Sequence, residues 1–98
     1  MAYEVIWAPS ARFDSAELAS YIRESRPQAA ARFIRGVLQT VECLVDFPES
    51  GRMVPEFDDP GIREVIRRPC RIVYRIQADK HAVEIVRVWH AARGVPEL

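Results

Sequence analysis

Three arginines stand among the apolar residues of the last third of the chain. Arg71 and Arg75 lie in the run 71–76, and Arg87 lies in the run 83–90. A guanidinium group binds phosphates and carboxylates through a planar fork of N–H donors, and burying it without a partner is costly. The pattern therefore predicts a hairpin with one packed face and one face that presents arginines for chemistry or recognition.

The distribution of charge predicts a positive patch on this hairpin. The net charge is zero, yet from Gly61 onward there are eight Arg or Lys residues against four Asp or Glu residues, and residues 40–60 hold acidic residues almost alone. A local positive patch attracts phosphates or acidic partners even on a neutral molecule. The number of arginines has a second explanation, because a GC-rich genome favours Arg and Ala. Their placement on one predicted sheet carries the functional interpretation.

Length and composition predict a single domain over residues 1–98. No apolar run approaches the roughly 20 residues that cross a bilayer, and the N-terminus lacks the basic region and apolar block of a signal peptide. We therefore expect a cytoplasmic protein that contacts no membrane. Cys43 and Cys70 are isolated, with no CxxC spacing and no surplus of His, so we expect free thiols, no metal site and no cofactor.

Two helices joined by a short turn are predicted ahead of the hairpin. Alternation over residues 3–7 predicts a first strand, and a first helix with Ser10 as its N-cap runs to about Glu24. The second helix begins at Pro27 and repeats apolar side chains every three or four positions, which is the strongest helical pattern in the chain. The turn at residues 25–27 is short enough to make the helices antiparallel neighbours.

Three strands are predicted after a long, turn-rich segment. Residues 47–61 are rich in Gly, Pro and Asp, and a connection of this length is often functional. Strands are predicted over residues 62–67, 70–77 and 82–90, with a polar break at 78–81. The expected fold class is α+β: a strand, an antiparallel helical hairpin and a three-stranded antiparallel meander (βααβββ), with both helices on one face of the sheet.

The two faces of the sheet are predicted from the alternation of side chains along each strand. On the strand 70–77 the side chains expected to face the helices are Ile72, Tyr74 and Ile76. The opposite, open face then carries Arg71 and Arg75. The last strand is mixed, and we expect Val86 and Val88 to face the helices, with Arg87 and Trp89 on the open face.

Six short motifs together resemble a known group of proteins. They are Trp7-Ala8-Pro9-Ser10-Ala11, Ala30-x-x-Phe33-Ile34, Pro48-x-x-Gly51-Arg52-x-Val54-Pro55-Glu56, Ile62-Arg63-Glu64, Arg71-Ile72-Val73-Tyr74-Arg75-Ile76 and Val86-x-Val88-x-His90-x-x-Arg93. In this order, and over essentially the whole chain, they resemble the RelE/ParE superfamily of bacterial toxins from type II toxin–antitoxin systems. The resemblance implies a cognate antitoxin whose carboxy-terminal segment wraps the toxin and holds it inactive.

The superfamily has two branches that differ in chemistry. RelE-like members are similar to ribosome-dependent endoribonucleases that cut messenger RNA, whereas ParE-like members poison DNA gyrase without nuclease chemistry. Metal-free RNA cleavage needs a base, an acid and a cation on the phosphorane. In a nuclease, His90 would be the titratable group, with Arg63, Arg71 or Arg75 stabilising the phosphate.

The end of the chain favours the ParE-like branch. RelE-like chains typically carry a Tyr at or just beyond the last strand, but residues 91–96 contain none, and Lys80 is the sole lysine. These departures favour a toxin without nuclease activity but leave the question open, and catalytic residues are assigned only for the nuclease alternative. The arginines are then interpreted as a docking surface for the antitoxin and for gyrase. Its expected members are Arg52, Arg63, Arg71, Arg75, Arg87, Trp89, His90 and Arg93.

Several alternatives stay open at this point. The protein could be a RelE-like endoribonuclease, or a decayed toxin that survives as an antitoxin-binding module. Direct nucleic-acid binding is undecided, while a hetero-oligomer with the antitoxin is expected. The arginines could instead pair with nearby carboxylates, the candidates being Glu64, Glu84, Asp58 and Asp59. His90 could bond to backbone, Gly51 could supply a positive φ after the second helix, and Tyr74 and Trp7 are expected in the core.

Overall fold

The chain folds into two helices and a five-stranded sheet, as a computed structural model of residues 2–98 describes it. The elements in chain order are β1 (Glu4–Trp7), α1 (Pro9–Ser25), α2 (Pro27–Asp46), β2 (Arg52–Met53), β3 (Ile62–Arg67), β4 (Cys70–Gln77) and β5 (Ala82–His90). Short 3-10 turns occupy Ala78–Lys80 and Ala91–Arg93. The predicted α+β class is confirmed.

The strand order of the sheet is β1-β5-β4-β3-β2. Strands β3, β4 and β5 form the predicted antiparallel meander. Strand β1 returns beside β5 and pairs with it in parallel, with Glu4 opposite Ala82. Strand β2 was not predicted, because two residues are too few to show an alternating pattern; it pairs with the start of β3 through Arg52 opposite Glu64.

The main core lies between the helices and one face of the sheet. The apolar stripe of α2, including Val37, Val41 and Leu44, packs against Ile72 and Tyr74 of β4. Tyr74 is fully buried, which confirms its predicted place in the core. Neither helix of the described chain is long and apolar enough to cross a membrane.

The opposite face of the sheet is also packed, so the expectation of an open arginine face is wrong. Val54 and Phe57, from the connection between β2 and β3, lie over Val73 and Val86 and form a second apolar cluster. Arg71 is 8% exposed, and Trp89 of β5 is 1% exposed. The long connection therefore acts as a cover for the sheet. Its covering function was not visible in the sequence because only two of its residues are large and apolar.

A bulge in β5 explains why the predicted faces of this strand are partly wrong. Ile85 lies opposite Tyr74, but the next pair is Arg87 with Val73, so Val86 has no partner of its own. An extra residue in one strand reverses the alternation beyond it. Val88 packs against the helices as predicted, whereas Val86 joins the second cluster on the other face.

The start of α1 covers the free edge of β5. Pro9 occupies the first turn, where its missing N–H is not needed, and Ala8 is the N-cap. The prediction of Ser10 as N-cap is wrong, because its hydroxyl instead donates to the carbonyl of Val86 at 2.7 Å. One turn later, Asp14 Oδ2 accepts the N–H of Val88 at 3.0 Å. Side chains of α1 thus form hydrogen bonds with the backbone groups at the edge of β5 that β1 does not reach.

Gly51 is required by close packing, and its predicted positive φ is wrong. Among the described glycines, Gly94 is the one with a positive φ. A Cβ atom at Gly51 would lie 2.5 Å from the hydroxyl of Tyr74 and 2.7 Å from the carbonyl oxygen of Glu64. The Gly51 N–H donates to the Tyr74 hydroxyl at 3.0 Å, and that hydroxyl donates to the Pro48 carbonyl at 2.6 Å. The glycine therefore lets this turn dock against the sheet.

Candidate functional site

A network of two carboxylates and two guanidinium groups joins the sheet to the connection that covers it; we call it the Glu64 network. Glu64 and Arg71 are buried, whereas Arg52 and Glu56 reach the surface. Glu64 is 1% exposed, and its two oxygens accept from Arg71 Nε at 2.6 Å and from Arg52 Nε at 2.7 Å. Arg71 also reaches Glu56 through Nη1 and Nη2, at 2.9 and 2.7 Å. Each charge in the network therefore has an opposite charge at hydrogen-bond distance.

These contacts shift two ionisation equilibria. The hydrogen bond from Arg71 holds the pKa of Glu56 below its ordinary value of 4.5, against the opposing effect of burial. Hydrogen bonding to Glu56, followed by the hydrogen bond to Glu64, raises the pKa of Arg71 against the opposing effect of burial. Glu56 and Arg71 therefore stay ionised at neutral pH. A guanidinium group held in this way has its N–H donors already occupied.

Trp89 and its neighbours form a second paired region at the end of β5. The Arg87 fork donates to both oxygens of Asp14, at 2.8 and 2.7 Å, and this pairing raises the pKa of Arg87. The guanidinium carbons of Arg87 and Arg93 lie 4.7 and 4.0 Å from the centre of the Trp89 ring. The indole N–H donates to the Gly94 carbonyl at 3.1 Å. The Trp89 ring is therefore enclosed and cannot stack on a base.

Arg63 and Arg75 lie apart from both regions. Arg63 donates to the carbonyls of Gly51 and Pro60, at 3.0 and 3.1 Å, and so ties the turn before β2 to the end of the covering connection. Arg75 is half-exposed and pairs with Glu84 at 3.6 Å. Neither side chain points to the place where His90 lies, because both belong to the far end of the meander. The structure therefore does not assemble the four candidate nuclease residues.

His90 ends β5, and its hydrogen bond fixes its tautomer. Its Nδ1 atom accepts the backbone N–H of Ala92 at 3.1 Å, which caps the final 3-10 turn. A neutral imidazole with Nδ1 as acceptor carries its proton on Nε2. Nε2 is then a donor, so His90 would have to release Ala92 before it could act as a general base.

Two surface clefts meet at His90. The first, which we call the His90 cleft, has a volume of about 520 Å³ and is lined by Arg52, Arg71 and Cys70. Burial raises the pKa of the Cys70 thiol to about 11, so this cleft offers no thiolate nucleophile at neutral pH. The sequence predicted Arg52, Arg71 and His90 as contacts, and the structure brings these three together.

The second cleft, which we call the α1 groove, has a volume of about 640 Å³ and runs between α1 and the end of β5. Its walls include Leu18 and the exposed rings of Phe13 and Tyr21, which are 54% and 75% exposed. Arg93 lies at one end of it, together with His90. Exposed aromatic side chains of this size mark binding surfaces more often than scattered small apolar residues do.

The residues that the sequence did not single out are mainly carboxylates and aromatic rings. Glu56 and Asp14 neutralise two of the predicted docking arginines, and Phe13 and Tyr21 form the apolar wall of a groove. A partial signal existed in α1, where Phe13 and Tyr21 are eight residues apart and so fall near one face. No signal in the sequence paired Glu56 with Arg71, because the contact depends on how the covering connection folds back.

The chain is similar to a known protein family. Residues 5–95 match a family model described as the ParE toxin of a type II toxin–antitoxin system, parDE. The chain is 35% identical to the Y4kP protein of Sinorhizobium fredii over 84% of this chain and 81% of that protein. It is 31% identical to toxin RelE2 of Caulobacter vibrioides over 92% of this chain and 97% of that toxin.

A solved structure has the same fold. It belongs to the chromosomal ParDE toxin–antitoxin system of P. aeruginosa, and it superposes with a TM-score of 0.74 over 91% of this chain and 96% of that chain. The identity is 18%, so the likeness concerns the fold alone.

Proposed function

The chain belongs to the ParE toxin family of type II toxin–antitoxin systems, within the RelE/ParE superfamily, and from this membership we propose that it arrests growth by inhibiting DNA gyrase through protein contact. A cognate antitoxin neutralises it by occupying the α1 groove. The relatives carry both ParE and RelE names, so the choice between the branches rests on the geometry of this chain.

The occupied arginines are the observation that carries the proposal. A metal-free ribonuclease needs a free cation on the phosphorane and a base within reach of the 2′-hydroxyl. Of the candidate nuclease residues in the His90 cleft, Arg71 is held by Glu56 and Glu64, and Nδ1 of His90 accepts the N–H of Ala92. Among the described residues that line this cleft, the unpaired guanidinium belongs to Arg68, which is not one of the candidates. These contacts favour a toxin that acts by contact.

The α1 groove is the surface that fits an antitoxin segment. The rings of Phe13 and Tyr21 stand exposed beside Leu18, and Arg93 supplies a positive charge at the end of the groove. An amphipathic segment would bury its apolar side chains on these rings and place a carboxylate near Arg93. This location replaces the buried arginine face as the expected antitoxin contact.

A supercoiling assay tests the gyrase proposal. Purified toxin is added to gyrase, ATP and relaxed plasmid, and we expect supercoiling to fall and cleaved plasmid to accumulate as the toxin concentration rises. Unchanged supercoiling with no cleaved plasmid at a large excess of toxin would contradict the proposal. Growth arrest on expression of the toxin alone would exclude a decayed toxin that only binds its antitoxin.

A matched pair of variants tests the antitoxin surface. Phe13 in the groove is 54% exposed, and Leu38, which lines none of the grooves described here, is 52% exposed. Loss of a central aromatic contact typically costs about 2 kcal/mol, or roughly 30-fold in Kd. We expect that loss for Phe13→Glu, and no change for Leu38→Glu, in calorimetric titration with the purified cognate antitoxin. Equal affinities of the two variants would place the antitoxin elsewhere.

The ribonuclease remains the second candidate, and the His90 cleft is the observation that favours it. His90, Arg52 and Arg71 line one open cleft, and a 31% identical relative is named toxin RelE2. Primer extension on messenger RNA after induction separates the two candidates. New codon-phased ends that vanish in His90→Ala would establish the nuclease, and their absence would leave the gyrase proposal standing.

A further inference from the structure

A third groove lies between the turn that joins the helices and the turn that joins β3 to β4; we call it the arginine groove. Its volume is about 520 Å³, and its lining includes four guanidinium side chains. They are those of Arg26, Arg32, Arg67 and Arg68. No Asp or Glu is among the residues that line it.

The charges of this groove are not neutralised by the protein, unlike those of the Glu64 network. Within residues 2–98, none of its four guanidinium groups forms an ion pair or a side-chain hydrogen bond. By contrast, Arg52, Arg71 and Arg87 each bind a carboxylate at 2.6 to 2.8 Å. Four like charges placed together repel one another, which costs free energy unless an anion binds there.

Two features make the groove more than a set of flexible side chains. The guanidinium of Arg67 lies directly over Gly36 of α2, where an added Cβ would come within 2.6 Å of Nε and 2.8 Å of the guanidinium carbon. The groove also contains the start of α2, which has no acidic residue in its first turn and no side-chain cap. Free N–H groups at a helix start favour bound anions.

Three acidic residues lie at the opposite end of the sheet from the arginine groove. Asp46 ends α2, next to Val45, whose carbonyl accepts the N–H of Tyr3 ahead of β1. Asp59 and Asp79 lie in the connections at the same end, before β3 and after β4. These three carboxylates are therefore remote from the four guanidinium groups of the arginine groove.

From these four unpaired guanidinium groups in a groove without carboxylates we infer that the arginine groove binds the phosphate backbone of duplex DNA. Duplex DNA carries about one negative charge per 1.7 Å of its axis, whereas an extended acidic peptide has side chains about 3.3 Å apart that point to alternate sides. A compact group of four arginines matches the denser array. The choice of DNA rests on the proposed function, because gyrase holds duplex DNA, while phosphate binding rests on the groove alone.

The salt dependence of binding gives the expected size of the effect. Each arginine that neutralises one phosphate adds about 0.9 to the slope of log Kd against log salt concentration. Four such contacts therefore give a slope of about 3.6. Raising salt from about 50 to about 200 mM should then weaken binding about 150-fold. Removing two contacts halves the slope, so the same change in salt weakens binding only about 12-fold.

Fluorescence anisotropy of a labelled duplex DNA, titrated with the purified full-length chain, tests the inference. The test variant carries Arg26→Gln and Arg32→Gln, and the control carries the same change of charge outside the groove, Arg12→Gln and Lys80→Gln. We expect the slope to be halved in the test variant and unchanged in the control. All four positions are exposed on the surface, so thermal unfolding should show intact folding in both variants.

Three outcomes would overturn the inference. One is an equal fall of the slope in the test variant and the control, which would mean that binding follows total charge. Another is tighter binding of an RNA of the same sequence, which would exclude duplex DNA as the occupant. The third is tight binding of a poly-glutamate peptide without DNA binding, which would make the groove a site for an acidic protein segment. None of these results depends on the supercoiling assay, so this inference and the gyrase proposal fail separately.

Discussion

Glu64→Gln removes one charge from the centre of the Glu64 network while keeping the shape of the side chain. The carboxylate is 1% exposed and accepts short hydrogen bonds from Arg52 and Arg71. Glutamine can accept through one oxygen only, and its amide group would turn N–H donors toward a guanidinium that is itself a donor. Arg71 keeps Glu56 as a partner, so the substitution weakens the network without leaving Arg71 bare.

Removing one partner of a buried ion pair costs about 3–5 kcal/mol, and the remaining contact with Glu56 places this variant near the lower value, about 3 kcal/mol. For a domain of this size, each kcal/mol changes Tm by roughly 4–8 °C, so we expect a loss of roughly 12–24 °C. Such a loss is a large part of the free energy of unfolding of a small domain, about 5–15 kcal/mol. Part of the population would then unfold at the temperatures of growth.

Thermal and urea unfolding followed by circular dichroism measure this loss. The matched control is Glu84→Gln, because Glu84 pairs with the half-exposed Arg75 at 3.6 Å, and pairs of this kind contribute less than about 1 kcal/mol. If Glu64→Gln unfolds within 1 kcal/mol of wild type, or no earlier than the control, the network is not a source of stability. The covering connection would then have to be held by its apolar contacts alone.

Three further predictions follow from single contacts. The hydrogen bond from Arg71 holds the pKa of folded Glu56 below 4.5. The stability that ionised Glu56 contributes is therefore complete above its unfolded pKa and is lost as the pH falls through its folded pKa. Tm should then fall more steeply below about pH 4.5 in wild type than in Glu56→Gln. Tyr74→Phe removes a 2.6 Å hydrogen bond to the Pro48 carbonyl and should cost about 1–3 kcal/mol in urea unfolding, whereas equal stability would mean that water replaces the hydroxyl. A thiol reagent should label Cys43 alone in the native protein and Cys70 only after unfolding, since Cys70 is buried with its pKa raised to about 11; labelling of both thiols at equal rates would contradict that burial.

The parts of the fold that follow from repeating patterns were predictable from the sequence. Helix α2 shows its apolar period over twenty residues, and β3, β4 and β5 begin and end at the predicted residues. These elements bury enough side chains for the pattern to outweigh local exceptions. The bulge at Val86 could not be predicted. One extra residue hardly alters the composition or hydrophobicity of the strand, yet it reverses which side chains face the helices.

The candidate sites were harder to predict, since they depend on contacts between distant residues. Arg71 and Trp89 have the residue types of a binding surface, and only the folded chain places Glu56, fifteen residues earlier, against Arg71. The arginine groove escaped notice for a related reason. Arg26 lies in the turn between the helices, whereas the adjacent Arg67 and Arg68 lie at the end of β3 and in the turn after it, far away in the sequence.

The way in which α1 covers the edge of β5 also bears on how the free toxin behaves in a crowded cell. Strand β1 pairs only with residues 82–85 of β5, so the second half of β5 has no strand neighbour on that side. An uncovered strand edge is a template on which another chain can add a strand and begin a polymer. Ser10 and Asp14 bind the backbone at Val86 and Val88, and α1 fills the place that such a strand would take. Copies without their antitoxin are thereby protected from strand addition along this edge.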